Sequence, residues 1–197
     1  MYLVIAERSS LYLGNKYVEI DWCEILKIEL DRKSVSASGL RFAIVTSRWN
    51  SELTSKLAVG AWEALVENGA HEDSILEFNV PGAFELPVAC LKAAETGNFH
   101  AIIAIGVVIR GDTAHFDFVA GQTATGIMNA SMATGCPIMF GVLTTENYEQ
   151  ALVRCGEKAD NKGHEAAISA IEMANELLEI ESRSAEFFRD KILPNVI

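Results

Sequence analysis

The sequence predicts an α/β protein whose four-stranded parallel sheet is covered by helices on both faces. Three observations support this fold class. Between residues 41 and 180, short apolar runs alternate with longer segments in which apolar residues recur at helical spacing, the pattern of successive βαβ units. The run AIIAIGVVI (101–109) is apolar throughout, as expected for a strand buried on both faces. Glycines at positions 69, 97 and 135 follow the helical segments, where helices commonly end.

The elements follow in chain order from the period of their apolar residues. Strands are predicted at RFAIVT (41–46), SILEFNV (74–80), AIIAIGVVI (101–109) and PIMFGVL (137–143). Helices are predicted over residues 50–68, from 84 to near 97, and over 115–134, 148–154 and 162–180. Together these elements define one domain over residues 41–181.

Two flanking segments lack this regular pattern. Residues 1–40 show no clear period and mix charges of both signs, so we expect an N-terminal extension of unknown role that ends in a linker at SASG (36–39). Residues 182–197 are expected to be a C-terminal tail. A chain of 197 residues has room for one well-buried core and little room for a second.

The composition argues against several classes of function. The net charge of −11 makes broad binding to nucleic acid or to an anionic membrane unexpected. No apolar run is long enough to cross a bilayer, and Glu7 and Arg8 interrupt the region that a signal peptide would keep apolar. The four cysteines are scattered without a CxxC pair, which is typical of reduced thiols, so we expect a cytoplasmic protein.

Parallel sheets bind ligands beyond the carboxyl ends of their strands, so the residues after each strand are the first candidates for a site. Four short segments hold these positions: SRWN (47–50), PGAFE (81–85), RGDTAH (110–115) and TTEN (144–147). We therefore expect a small-molecule site built from these loops.

The segment RGDTAH joins a strand to a helix and combines hydrogen-bond donors with an imidazole. Gly106 and Gly111 have the spacing of a nucleotide-binding P-loop, but Asp112 occupies the lysine position, so we reject a nucleoside triphosphatase. A glycine-containing turn into a helix still presents backbone N–H groups that suit one phosphate. Thr113 and His115 fit either a phosphate donor and a proton-transfer group, or a helix cap and a surface residue.

The other segments also allow a structural and a functional interpretation. PGAFE is either a simple turn or a first helical turn that offers N–H groups and the carboxylate of Glu85 to a polar ligand. Trp49 is either a core aromatic or a platform for a heterocycle. Arg154 either satisfies the end of a short helix or binds a phosphate. Taken singly, the residues leave these alternatives open.

Taken together, the motifs resemble those of one enzyme family. RFAIVTSRWN, VPGAFELP, AIIAIGVVIRGDTAHFDFV, GVLTTEN, the run from Arg154 to Gly163 and SAIEMAN occur in the order and at the spacings of the 6,7-dimethyl-8-ribityllumazine synthases, over about residues 41–181. The resemblance implies a three-layer α/β/α flavodoxin-like sandwich. It also implies an enzyme of riboflavin biosynthesis that joins 5-amino-6-(D-ribitylamino)uracil to 3,4-dihydroxy-2-butanone 4-phosphate and uses no cofactor and no metal.

The resemblance assigns roles to individual residues. His115 is expected to transfer protons. Contacts with the ribitylaminouracil are expected from Trp49, which stacks on the pyrimidine, and from Ala83, Phe84, Glu85, Val107, Val108, Ile109 and Phe140. Contacts with the butanone phosphate are expected from Thr113, from the backbone N–H of Asp112, and from Arg154. Lys162 is a candidate second cation, and Phe140 and Arg154 are expected to come from a neighbouring subunit.

The resemblance also implies an assembly. Members of the family form pentamers, and in some of them twelve pentamers close into an icosahedral shell of 60 subunits, which the compact segment 157–163 favours here. The expected partners are thus the small substrates, further copies of the chain and, as a candidate, riboflavin synthase.

Two other functions on the same fold stay open: a non-catalytic flavin or lumazine carrier, and an archaeal-type riboflavin synthase. A carrier needs neither His115 nor Arg154, because it transfers no proton and binds no separate phosphate. The pairing of VPGAFE with RGDTAH fits a lumazine synthase better than a riboflavin synthase.

Overall fold

The computed structural model describes residues 9–13, 16–20 and 36–192. The chain divides into two compact units, Met1–Ser34 and Val35–Ile197. In the first unit, strands β1 (Ser9–Leu13) and β2 (Lys16–Ile20) form an antiparallel pair. The pairing places Ser9 opposite Ile20.

The second unit contains every strand and helix that the periodicity predicts. Its elements are β3 (Phe42–Ser47), α1 (Ser51–Glu67), β4 (Ile75–Val80), α2 (Leu86–Glu95), β5 (Ala101–Ile109), α3 (His115–Thr134), β6 (Ile138–Thr145), α4 (Tyr148–Val153) and α5 (Lys162–Ile192). Short 3₁₀ turns lie at Glu72–Ser74, Ala83–Glu85 and Lys158–Asp160. The predicted ends agree with the observed ones to within two residues, except at the end of α5.

The four strands β3 to β6 form a parallel sheet in the order β4-β3-β5-β6. Side chains alternate between its faces, so Phe42 packs in one core with α1 and α5, whereas Ala43 packs in the other with α2 and α3. Strand β5 buries both faces, with Ile103 in the first core and Ile102 in the second, as its apolar run predicted. The expected flavodoxin-like three-layer sandwich is confirmed.

Two segments differ from the prediction. The SASG stretch is not a free linker, because Ala37 is fully buried and its N–H donates a hydrogen bond to the carbonyl oxygen of Asn68 at 2.9 Å. Helix α5 does not end at residue 180 but continues to Ile192, through most of the predicted tail. The physical reason is that no glycine or proline interrupts the chain between Gly163 and Pro194.

Because the strands of this sheet are parallel, the loops after β3, β4 and β5 leave it at one common edge. The two central strands, β3 and β5, are direct neighbours, and β4 lies on the other side of β3. The topology therefore places the predicted segments after these three strands side by side, and the segment after β6 leaves the same edge next to β5. Within the described residues, no helix combines the length and the apolar character that a membrane crossing requires.

Candidate active site

A cleft of about 510 Å³ opens at the carboxyl edge of the sheet, a size that suits a small ligand. It is lined by Trp49, Asn50, Pro81, Gly82, Ala83, Phe84, Glu85, Val107, Val108, Ile109, Gly111, Thr113, His115, Phe116 and Val119. The residues predicted after β3, β4 and β5 thus line one cleft, except for Asp112.

The loop after β3 forms the first wall. Asn50 adopts a left-handed backbone conformation with φ 59° and ψ 43°, which asparagine tolerates better than most residues. Its side-chain Nδ2 donates a hydrogen bond to the carbonyl oxygen of Val107 at 3.0 Å. The backbone N–H of Trp49 donates to the carbonyl oxygen of Pro81 at 3.2 Å, whereas its side chain is 73% exposed. This exposure contradicts a core role for Trp49, and its role as a platform for a heterocycle stays a prediction.

The turn Ala83–Glu85 after β4 forms the second wall, and helix α3 holds it in place. The buried hydroxyl of Thr123 donates a hydrogen bond to the carbonyl oxygen of Ala83 at 3.2 Å. Helices α2 and α3 approach closely at Gly126, where a Cβ atom would lie 2.8 Å from the ring of Pro87. The sequence pattern did not single out Thr123, because a threonine within a helix carries no signal of a partner forty residues away.

The connection from β5 to α3 forms the third wall. In the part of the chain that the structure describes, the backbone N–H groups of Gly111, Asp112 and Thr113 make no hydrogen bond. They precede a helix of 20 residues, whose positive end favours an anion. His115 is the first residue of this helix, and its exposed side chain lines the cleft beside Thr113. The side chain of Asp112 is exposed and lies outside the cleft lining, which leaves its N–H as the group that can contribute.

Arg110 was not among the predicted site residues, yet it contacts the first turn of α3. Its Nη2 lies 2.9 Å from Oδ1 of Asp117, and its Nε lies 2.9 Å from Oε2 of Glu146. Its Cζ atom lies 4.1 Å from the ring centroid of Phe116. These hydrogen bonds raise the pKa of Arg110, and the guanidinium lowers the pKa of Asp117. Sequence alone does not distinguish such a cluster from ordinary solvated surface charges.

Besides Asp112, three further predicted residues lie outside the lining of the cleft of their own chain. Phe140 is exposed on β6, and the exposed Arg154 follows α4, where its Nη1 donates to the carbonyl oxygen of Gln150 at 2.8 Å. Lys162 begins α5, and its Nζ forms an ion pair with Glu165. No lysine or arginine is among the residues that line the cleft, so one copy of the described chain brings no cation into it.

Comparison with known proteins identifies relatives of this chain. Residues 39–177 match the family model of 6,7-dimethyl-8-ribityllumazine synthase. A protein of that name from Chlorobium luteolum is 50% identical over 150 residues, which cover 76% of this chain and 97% of the relative. Another from Deinococcus radiodurans is 49% identical over 145 residues, or 74% of this chain and 94% of the relative. The chain therefore belongs to the 6,7-dimethyl-8-ribityllumazine synthase family.

Proposed function

We propose that this chain condenses 5-amino-6-(D-ribitylamino)uracil with 3,4-dihydroxy-2-butanone 4-phosphate to form 6,7-dimethyl-8-(D-ribityl)lumazine, phosphate and two waters. This is the penultimate step of riboflavin biosynthesis. The observation that carries the proposal is the cleft itself, which unites an exposed indole, unpaired backbone N–H groups and an imidazole in a chain about half identical to named synthases.

Each part of the cleft suits one part of the reaction. The indole of Trp49 stacks on the pyrimidine, and the turn Ala83–Glu85 binds the ribityl chain. The N–H groups of residues 111–113 and the hydroxyl of Thr113 bind the phosphate until it leaves. His115 follows Thr113 by two positions, and beside the bound phosphate it moves protons during imine formation, phosphate elimination and ring closure.

Most of the rate enhancement comes from holding two substrates side by side, because this removes entropy from the barrier. The first step forms a C=N bond between the 5-amino group and the ketone, with loss of water. Elimination of phosphate and ring closure by the ribitylamino nitrogen, with loss of the second water, complete the product. Acid–base catalysis by His115 contributes roughly a factor of 10² to 10⁴.

We infer that the site is completed by a neighbouring subunit in a head-to-tail pentamer. A bound phosphate is stabilised by a cation, and no lysine or arginine lines the cleft of one copy of the described chain. Arg154 and Lys162 of the adjacent subunit supply this positive charge. The ring of Phe140 of the same subunit contacts the ribitylaminouracil. An assembly also accounts for the large apolar side chains exposed on α3, since Phe118, Met128 and Met132 are 68%, 62% and 78% exposed. Light scattering distinguishes a pentamer from a 60-subunit shell, and co-purification tests for bound riboflavin synthase.

The cysteines favour the cytoplasm as the place of this activity. Cys90, Cys136 and Cys155 are free thiols in the described part of the chain. Burial raises the pKa of Cys90 to about 12, so this thiol stays protonated and unreactive. Unpaired thiols of this kind are typical of proteins in a reducing compartment.

One assay tests the function against its alternatives. The two substrates are mixed with the protein, and lumazine fluorescence and released phosphate are followed together. The proposed enzyme forms one phosphate per lumazine without added metal or cofactor. A carrier binds lumazine and releases no phosphate, and a riboflavin synthase converts supplied lumazine to riboflavin. Either of these two results would contradict the proposal.

A further inference from the structure

The connection from β5 to α3 must be held in place by groups other than its own backbone N–H groups. A loop that binds an anion through its backbone N–H groups cannot use the same groups to hold itself in place. In the described part of the chain, the N–H groups of Gly111, Asp112 and Thr113 have no hydrogen-bond acceptor. The position of this loop must therefore be set by residues on either side of it.

Arg110 meets this requirement from the end of β5. Its backbone N–H donates to the carbonyl oxygen of Thr145 at 2.9 Å, which anchors it to β6. Its guanidinium then reaches over the loop to the first turn of α3, with Nη2 and Nη1 at 2.9 and 3.3 Å from the two carboxylate oxygens of Asp117. The same group lies over the ring of Phe116. Arg110 thus contacts both residues that follow His115.

The contacts of Arg110 do not suit a residue that binds the phosphate itself. The Nε, Nη1 and Nη2 atoms of Arg110 all donate to carboxylates, of Glu146 and Asp117, and Arg110 is not among the residues that line the cleft. One guanidinium and two carboxylates carry a summed charge of −1, so the cluster offers no attraction to an anion. A planar guanidinium that donates two hydrogen bonds to one carboxylate instead fixes the orientation of the segment that carries this carboxylate.

We propose that Arg110 is a positioning residue for the reaction. It holds the first turn of α3 so that the imidazole of His115 and the N–H groups of residues 111–113 face the phosphate-bearing substrate. This inference rests on the proposed function, because it names the substrate that the turn serves. Each ion pair is partly exposed to solvent and adds little to the free energy of unfolding by itself. We therefore expect the loss of Arg110 to change the kinetic constants more than the stability.

The test compares Arg110→Ala and Arg110→Lys with a matched control, Arg183→Ala. Arg183 forms an exposed ion pair with Glu179 on α5, at 3.4 Å. We expect Arg110→Ala to lower kcat and to raise KM for the butanone phosphate, for a combined loss of roughly ten- to a hundred-fold in kcat/KM. The KM for the ribitylaminouracil should stay within about two-fold of the wild type, because the Arg110 guanidinium donates to Asp117 and Glu146 and to none of the residues assigned to that substrate. Arg110→Lys should recover only part of the loss, since an ammonium group cannot form the two-pronged contact.

A second measurement separates positioning from turnover. Isothermal titration calorimetry measures the binding of inorganic phosphate to the wild type and to each variant, with neither substrate present. Arg110→Ala should weaken phosphate binding, and Arg183→Ala should not. Unchanged kinetics and phosphate affinity in Arg110→Ala would overturn the proposal, as would an equal loss for both substrates with a lowered melting temperature. If the wild type binds phosphate but makes no lumazine, the proposed function fails, and the phosphate titration still decides the role of Arg110.

Discussion

The side-chain amide of Asn50 donates a hydrogen bond to the carbonyl oxygen of Val107 at 3.0 Å, which joins the loop after β3 to the end of β5. Both residues line the cleft, and their strands are direct neighbours in the sheet. This hydrogen bond therefore links the wall that carries Trp49 to the end of β5. Asn50 also provides the left-handed backbone on which this turn depends, with φ 59°.

Two substitutions at Asn50 separate these contributions. Asn50→Gly keeps the backbone conformation accessible, but it removes the side-chain bond and raises the entropy of the unfolded chain, which together should lower the free energy of unfolding by about 1–2 kcal/mol. Asn50→Ala removes the bond and also places a Cβ in the left-handed region, for a further loss of roughly 1 kcal/mol. Denaturant unfolding at fixed protein concentration measures both. If Asn50→Ala were more stable than Asn50→Gly by about 1 kcal/mol, the cost of glycine alone, backbone strain at Asn50 would be unimportant.

Trp49→Ala tests the platform. Because the indole is 73% exposed, its removal should change stability little. Loss of stacking should weaken binding of the ribitylaminouracil by roughly 1–3 kcal/mol, seen as a higher KM for that substrate and a smaller change for the butanone phosphate. Trp49→Phe is the matched control and should retain most of the affinity. An unchanged KM for the uracil in Trp49→Ala would remove Trp49 from the substrate site.

Mixed rings test whether the site is shared. His115→Ala and Arg154→Ala should each be nearly inactive at low substrate, the first without its proton-transfer group and the second without its phosphate cation. Co-expression in equal amounts mixes them within rings. A shared site then needs an intact His115 on one subunit and an intact Arg154 on the next, so about one half times one half, or roughly a quarter, of the sites recover. No recovery, in rings that mass spectrometry shows to be mixed, would place both residues in one subunit or remove Arg154 from the site.

Gly126 and Gly121 are a matched pair on α3. A Cβ at Gly126 would lie 2.8 Å from the rigid ring of Pro87, whereas a Cβ at Gly121 meets no atom within 4 Å. Gly126→Ala should therefore lower the free energy of unfolding by about 1–3 kcal/mol, since α2 and α3 must move apart. Gly121→Ala should be neutral or raise it by up to about 1 kcal/mol. If chemical unfolding finds the two variants equal, the close approach of α2 and α3 does not contribute to stability.

His100 makes stability depend on pH. Its Nδ1 accepts a hydrogen bond from the N–H of Arg41 at 2.9 Å, and burial, aided by the charge of Arg41, lowers the pKa of His100 below its ordinary value of 6.5. Above pH 6.5 both folded and unfolded His100 are neutral and this contribution is complete. As the pH falls from 6.5 towards the lower folded pKa, the unfolded chain binds the proton first, so the free energy of unfolding decreases.

His100→Asn keeps an acceptor near the position of Nδ1 and does not titrate. The difference in free energy of unfolding between wild type and variant should therefore narrow as the pH falls below 6.5, because only the wild type loses stability through His100. Denaturant titrations between pH 5 and 8 measure this difference. A difference that is independent of pH would mean that His100 is not responsible.

The sequence by itself determined the fold class, the elements of the second unit and the edge of the sheet where the cleft lies. The reason is that apolar periodicity and terminal glycines act within a few residues, as the run 101–109 and the end of α3 at Gly135 show. The rule that ligands bind beyond parallel strands then selected the segments around Trp49, Ala83 and Thr113, which the structure brings together in one cleft.

Only the tertiary structure decided how those segments are held. The bonds from Thr123 to Ala83 and from Arg110 to Glu146 join residues 40 and 36 positions apart, and no local pattern encodes such partners. Burial also had to be observed, because a tryptophan after a strand fits a core as well as a surface, and only the packed sheet leaves Trp49 exposed. Periodicity describes which face of an element is apolar, whereas the partner of each side chain depends on how the sheet aligns its strands and on which helices cover them.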